Sequence, residues 1–245
     1  MLTDVFIASF LAGAATAVGG ALVLLRKPGV RMYNFLMGFA GGVMLSLAFT
    51  QLLGESIQLG GLELAIAGFS VGAFAIFVLD TALPHMHFAT KEKGIIDLKM
   101  LKLGTLIAIG IALHNLPEGM AVAAGYASTP ALGVLIAIGI ALHNIPEGIA
   151  TALPLREAGL SKKKTFVITM LSGLAEPLGA LLIYFFLSGF PQFIPMTLAF
   201  AAGVMVFITL DEILVATKEK HQHSTPFGIL IGIIFVMILS KMFGI

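Results

Sequence analysis

Two stretches of this chain could hold a cation, and they say nearly the same thing. Residues 106–119 read LIAIGIALHNLPEG and residues 135–148 read LIAIGIALHNIPEG, identical at thirteen of fourteen positions and offset by 29 residues. Each copy sets His, Asn, Pro and Glu inside an otherwise apolar run. On a helix, His114, Asn115 and Glu118 are separated by three and four positions, so all three can face one direction. His143, Asn144 and Glu147 stand in the same relation. Neutral imidazole and carboxylate are ordinary ligands for Zn2+ and similar ions. Ionisable groups at membrane depth are costly and mark ion or substrate paths.

Glu176, in SGLAEPLGA, adds a third carboxylate followed by a proline. Three carboxylates in an apolar surrounding call for cations or protons, and they suit two divalent ions. The spacing suggests two metals bridged by Glu118 and Glu147. Pro117 and Pro146 would each free a helix carbonyl, of Leu113 and Leu142, and make room for an ion with its waters. Met44 is a candidate thioether ligand, although a buried Met is more often plain core. The chain has no Cys, so thiolate ligands and disulfides are excluded.

The elements that position these groups must be membrane helices. Of 245 residues, 58% are hydrophobic and 11% charged. That composition excludes an ordinary soluble domain. About 20 apolar residues span a bilayer, and eight segments qualify: roughly 4–25, 33–55, 62–83, 101–126, 130–154, 164–188, 193–216 and 226–244. The expected fold is an all-α integral membrane protein, one transmembrane domain over 1–245, sited in the cell (inner or plasma) membrane. The first span lacks a basic leader and a cleavage signal, so it reads as a retained helix. With both termini outside the cytoplasm, every Lys and Arg except Lys241 falls in a cytoplasmic connection or beside one. The run Lys162–Lys164 belongs to this pattern. The net charge of +1 says little about partners, and no nucleic-acid partner is expected.

This topology makes spans four and five antiparallel, and with them the two copies of the phrase. FAGGVM (39–44) in span two is echoed by FAAGVM (200–205) in span seven, again antiparallel. Echoes between opposed helices predict an inverted repeat with its site at the midplane. Gln51 and Glu55 close span two toward the outside; Asp211 and Glu212 close span seven toward the cytoplasm. These pairs could flank a way in and a way out, though interfacial solvation explains them nearly as well. Asp80, His85 and His87 after span three, and His221 and His223 in the last loop, could gather departing metal.

The sequence resembles the ZIP (Zrt/Irt-like protein) family of divalent metal transporters, on its prokaryotic side. HNLPEG (114–119), HNIPEG (143–148) and AEPLG (175–179) carry the resemblance, which extends over essentially the whole chain. It implies a binuclear midplane site. One metal would be held by His114, Glu118, His143 and Glu147 with Met44 near, and the other by Asn115, Glu118, Asn144, Glu147 and Glu176. Some members have Gln-Asp where this chain has His143-Asn144, which moves an imidazole into the first site and removes a carboxylate from the second. The resemblance further implies uptake of Zn2+, with Fe2+, Mn2+, Co2+ or Cd2+ accepted, and frequent homodimers. The metal is cargo, and no prosthetic group is expected.

The expected function is therefore secondary or facilitated transport of divalent metal into the cytoplasm. No Walker A phosphate loop is present to couple ATP. The alternative is an intramembrane metal-dependent hydrolase, which needs an activated water and a general base. The HExxH helix of such enzymes is absent, and an enzyme gives no reason for two antiparallel copies of one site.

Overall fold

The computed structural model describes residues 1–82, 98–216 and 223–245, and among these there is no strand. Eight helices of the described residues are long and apolar enough to cross a bilayer. In chain order, helices one to eight are Leu2–Leu25, Val30–Gly60, Leu62–Ala82, Leu98–Ser128, Pro130–Glu157, Lys162–Gly189, Ile194–Ala216 and Ser224–Phe243. In hydrocarbon every backbone group must bond within its own segment, and a helix does so locally. Each predicted span corresponds to one of these helices, with ends that agree to within a few residues where they are described; residue 83, the predicted end of span three, lies outside the described residues.

Short connections are fixed by local chemistry. Gly61 adopts φ +80, a left-handed conformation open to glycine, between helices two and three. Thr129 caps helix five by accepting from the Leu132 N–H at 3.2 Å, with Pro130 in the first turn where its missing N–H costs nothing. Two irregularities interrupt the helices. Helix two passes through a π-helical turn at Leu47–Leu52. Helix six breaks at Leu174, between Lys162–Gly173 and Ala175–Gly189. Pro177 cannot donate to the Gly173 carbonyl, so the ladder is already open where the break occurs.

The helices pack as two sets. Helices one, four, five and six form one, and helices two, three, seven and eight the other. Within the first, helix one packs on helix five as helix four packs on helix six. Within the second, helix two packs on helix eight as helix seven packs on helix three. The sets meet where helix four touches helix seven and helix five touches helix two. Every one of these pairings maps onto its mate when one exchanges one with six, two with seven, three with eight and four with five. The inverted repeat heard in the sequence is thus also the packing plan. Large apolar side chains such as Phe74, Leu182 and Met237 face outward, as a lipid-facing surface requires, while the polar groups discussed next are inside.

Candidate metal centre

Helices four and five run unbroken through Pro117 and Pro146 and carry the two HNxPEG copies past each other in the core. Both glycines of the motif are needed for this. Gly119 lies against the Glu176 carbonyl of helix six and Gly148 against the Thr16 carbonyl of helix one, and a Cβ on either would collide with backbone. Small residues let membrane helices approach this closely.

The close crossing brings Glu118, His143 and Glu147 together, with one ligand atom of each within 4.8 Å of the others. His143 Nε2 is 3.0 Å from Glu147 Oε1, one helical turn on, and 3.6 Å from Glu118 Oε1 on the neighbouring helix. All three are at most 1% exposed. An imidazole between two carboxylates, sealed from solvent, is a donor set suited to Zn2+.

The two asparagines and Glu176 lie beside this cluster and are fully buried. Asn115 Nδ2 donates to the Ser172 carbonyl at 3.0 Å. Asn144 Nδ2 donates to the Ala12 carbonyl at 2.9 Å and to Glu176 Oε1 at 3.1 Å. Because the partners are a carbonyl or a carboxylate, each amide must present its nitrogen to them and turn its oxygen the other way. Asn115 Oδ1, Asn144 Oδ1, Glu147 Oε2 and Glu176 Oε2 are then buried acceptors with no hydrogen-bond donor among the described residues. A cluster of oxygens in want of positive charge is what a cation satisfies.

The remaining expected ligands are placed differently. His114 is outside the 4.8 Å group and only half-buried. It lines a cavity of about 600 Å³ together with Asn34, Met37, Ile111, Lys27 and Asp211. This cavity reaches from the repeated motif toward the end of the bundle that holds the basic connections. Lys27 and Glu157, 3.6 Å apart, stand at its rim. Met44 is fully buried in the apolar core with Val43 and Leu47. Gln51 is buried at the opposite end, where its amide donates to Ser240 Oγ at 2.8 Å. Glu55 accepts from the Ser128 hydroxyl. These bonds tie helix two to helices eight and four on the side away from the cavity.

The side chains of Asp80 and Glu212 lie outside the described residues, as do His85, His87 and His221 entirely. His223 is exposed at the start of helix eight. Asn34 and Thr16 are among the buried polar residues that were not foreseen. Asn34, 4% exposed, was legible as a polar residue within an apolar helix. Thr16 was legible only by aligning LAGAATAVGG (11–20) with LSGLAEPLGA (171–180), where it stands opposite Glu176.

Comparison with known proteins agrees with this geometry. The family described as ZIP Zinc transporter matches residues 89–240. The zinc transporter ZupT of Chlorobaculum parvum is 38% identical over 255 residues, covering 96% of this chain and 95% of that protein. ZupT of Chlorobium phaeovibrioides is 40% identical over 251 residues, with 95% and 94% covered. ZupT of Corynebacterium efficiens is 37% identical over 254 residues, with 96% and 95% covered. With near-complete coverage on both sides and the paired HNxPEG helices at its core, the chain belongs to the ZIP zinc transporter family.

Proposed function

We propose that this protein carries divalent metal cations, Zn2+ foremost, across a membrane into the cytoplasm. The observation that carries the reading is the buried Glu118–His143–Glu147 cluster on two antiparallel copies of one motif, flanked by amide and carboxylate oxygens that lack donors. A carrier needs a site reachable from either side in turn, and an inverted repeat supplies two equivalent half-sites for that purpose. The relatives named above are zinc transporters, which removes the ground for the hydrolase alternative.

Two metals are assigned. His114, Glu118, His143 and Glu147, with Met44 near, serve the first. Asn115, Glu118, Asn144, Glu147 and Glu176 serve the second. His143 between the glutamates supports the first set, and the pinned asparagines support the second. The basic connections support an orientation with one end of the bundle in the cytoplasm and both termini outside. On that orientation the cavity beside His114 and Asp211 is the way out, and Gln51 and Glu55 belong to the closed outer end. Residues 1–245 then make one bilayer-embedded domain. Pairing of two copies follows from the family resemblance, and the mass of the detergent-extracted protein tests it.

The deciding experiment is Zn2+ entry into sealed proteoliposomes loaded with a metal-sensitive dye, comparing the intact chain with Glu118→Ala/Glu147→Ala. Saturable entry that is lost in the variant supports the assignment. Equal entry in both would remove the repeated motif from the transport path.

A further inference from the structure

Helices one and six cross where Gly13 and Gly173 face each other, the carbonyl of each lying against the other residue. Counted from this crossing, each residue of helix one has a mate 160 positions later, so that Ala12 pairs with Ser172 and Thr16 with Glu176. The bonds obey the pairing. Asn115 donates to Ser172 while its mate Asn144 donates to Ala12. Gly119 abuts the Glu176 carbonyl while its mate Gly148 abuts that of Thr16. The side-chain oxygens obey it as well. A Cβ built on Gly13 would stand 3.0 Å from Glu176 Oε2, and one built on Gly173 would stand 3.0 Å from Thr16 Oγ1. The Thr16 hydroxyl therefore occupies, across the crossing, the mirror position of the Glu176 carboxylate.

Thr16 is one of five buried threonines, with Thr151, Thr165, Thr169 and Thr225, whose hydroxyl has no hydrogen-bond partner among the described residues, and it is the one that the crossing sets opposite Glu176. Ser9 and Thr209 bond back to the carbonyl four residues earlier, at 2.8 and 2.7 Å. Thr16 is 0% exposed, and its Oγ1 has no hydrogen-bond partner among the described residues. A hydroxyl without a partner in an apolar core is costly. Resting on the two-metal reading above, we infer that the Thr16 hydroxyl is a further oxygen ligand of the second metal position, opposite Glu176.

The asymmetry has a chemical consequence. A carboxylate at Thr16 would give the pair of sites four negative charges against two divalent ions. A neutral hydroxyl leaves three, so the loaded centre retains excess positive charge and releases metal more readily. Ligand charge is a principal control of divalent-ion affinity.

The chain contains no Cys, so Thr16→Cys introduces a single thiol. Cd2+ titrated into the purified full-length variant should produce a thiolate-to-cadmium charge-transfer absorption that saturates. Adding Glu176→Ala should abolish it. A soft ligand at this position records direct contact, which a merely structural Thr would not do. No absorption, with Cd2+ binding by equilibrium dialysis intact, would overturn the inference. Should Thr16→Cys not fold, Thr16→Val should bind one Zn2+ per chain and Thr16→Ser two; equal counts would overturn it. The underlying reading fails separately, if Glu118→Ala and Glu176→Ala both leave metal binding by the otherwise unsubstituted chain unchanged.

Discussion

Asn115 and Asn144 make the same hydrogen bond in opposite directions: Asn115 reaches the Ser172 carbonyl of helix six at 3.0 Å, and Asn144 the Ala12 carbonyl of helix one at 2.9 Å. Each amide is anchored by its nitrogen, and this leaves its oxygen a buried acceptor with no hydrogen-bond donor among the described residues. Asn144→Leu should therefore do two things. It leaves the Ala12 carbonyl without that donor, a loss of roughly 1–3 kcal/mol, and it removes one oxygen from the second metal position proposed above. Thermal unfolding in detergent and Zn2+ stoichiometry read the two effects independently. Unchanged values of both would mean that the anchoring serves neither stability nor binding.

Gly119→Ala and Gly148→Ala place a methyl against backbone at mated crossings. Overpacking of this kind costs about 1–3 kcal/mol, sometimes more. The expected result is loss of the monodisperse peak in size-exclusion chromatography, to a similar extent in both variants. Tolerance of one and collapse of the other would show that the two crossings are not mechanically equivalent.

Among the described residues, His143 brings the imidazole into the cluster of Glu118 and Glu147. Replacing it by an amide takes one of the two imidazoles assigned to the first metal and leaves harder, more oxygen-rich chemistry, which suits Mn2+ better than Zn2+. His143→Gln should thus lower the ability of Zn2+ to outcompete Mn2+ in proteoliposome flux. A competition ratio equal to that of the parent would argue against a ligand role for this histidine.

Lys27 and Glu157 form an ion pair 3.6 Å long at the rim of the cavity, with their side chains 55% and 47% exposed. Such pairs contribute about 0.2–1 kcal/mol at most and are screened by salt. Lys27→Ala should shift the thermal midpoint only slightly, and less at high salt. A large destabilisation would reveal a buried role that the geometry does not suggest.

Much of this protein was legible in its sequence because the bilayer imposes a simple rule, a long apolar run for every crossing. Span number, short connections and antiparallel motifs followed from that rule and from the positions of Lys and Arg. The π-helical turn at Leu47–Leu52 did not, since LAFTQL contains neither proline nor glycine. Its residue Gln51 bonds to Ser240, 189 positions away, a partner no local pattern names. The break at Leu174 was half-announced by Pro177. Spacing alone also made His114 and His143 equivalents, whereas His143 sits between the glutamates and His114 faces the cavity. Nothing local could separate them, because their surrounding sequences are the same and only their surroundings in the fold differ.

On the transport proposal above, that difference between near-identical phrases is a snapshot of one phase in a cycle. Ile107, Gly110, Ile111 and His114 line the open side. Their mates Ile136, Gly139, Ile140 and His143 are sealed within the core. If the halves trade postures, the second set becomes the wall of a vestibule on the other face and the first set closes over, with no new fold required. A membrane-impermeant thiol reagent should then label Ile140→Cys from the face opposite to that which labels Ile111→Cys, and conditions that raise one reactivity should lower the other. An Ile140→Cys thiol that stays unreactive from both faces during active transport would rule the exchange out. The chain, on this view, encodes its second conformation in all but one of the fourteen letters that encode its first.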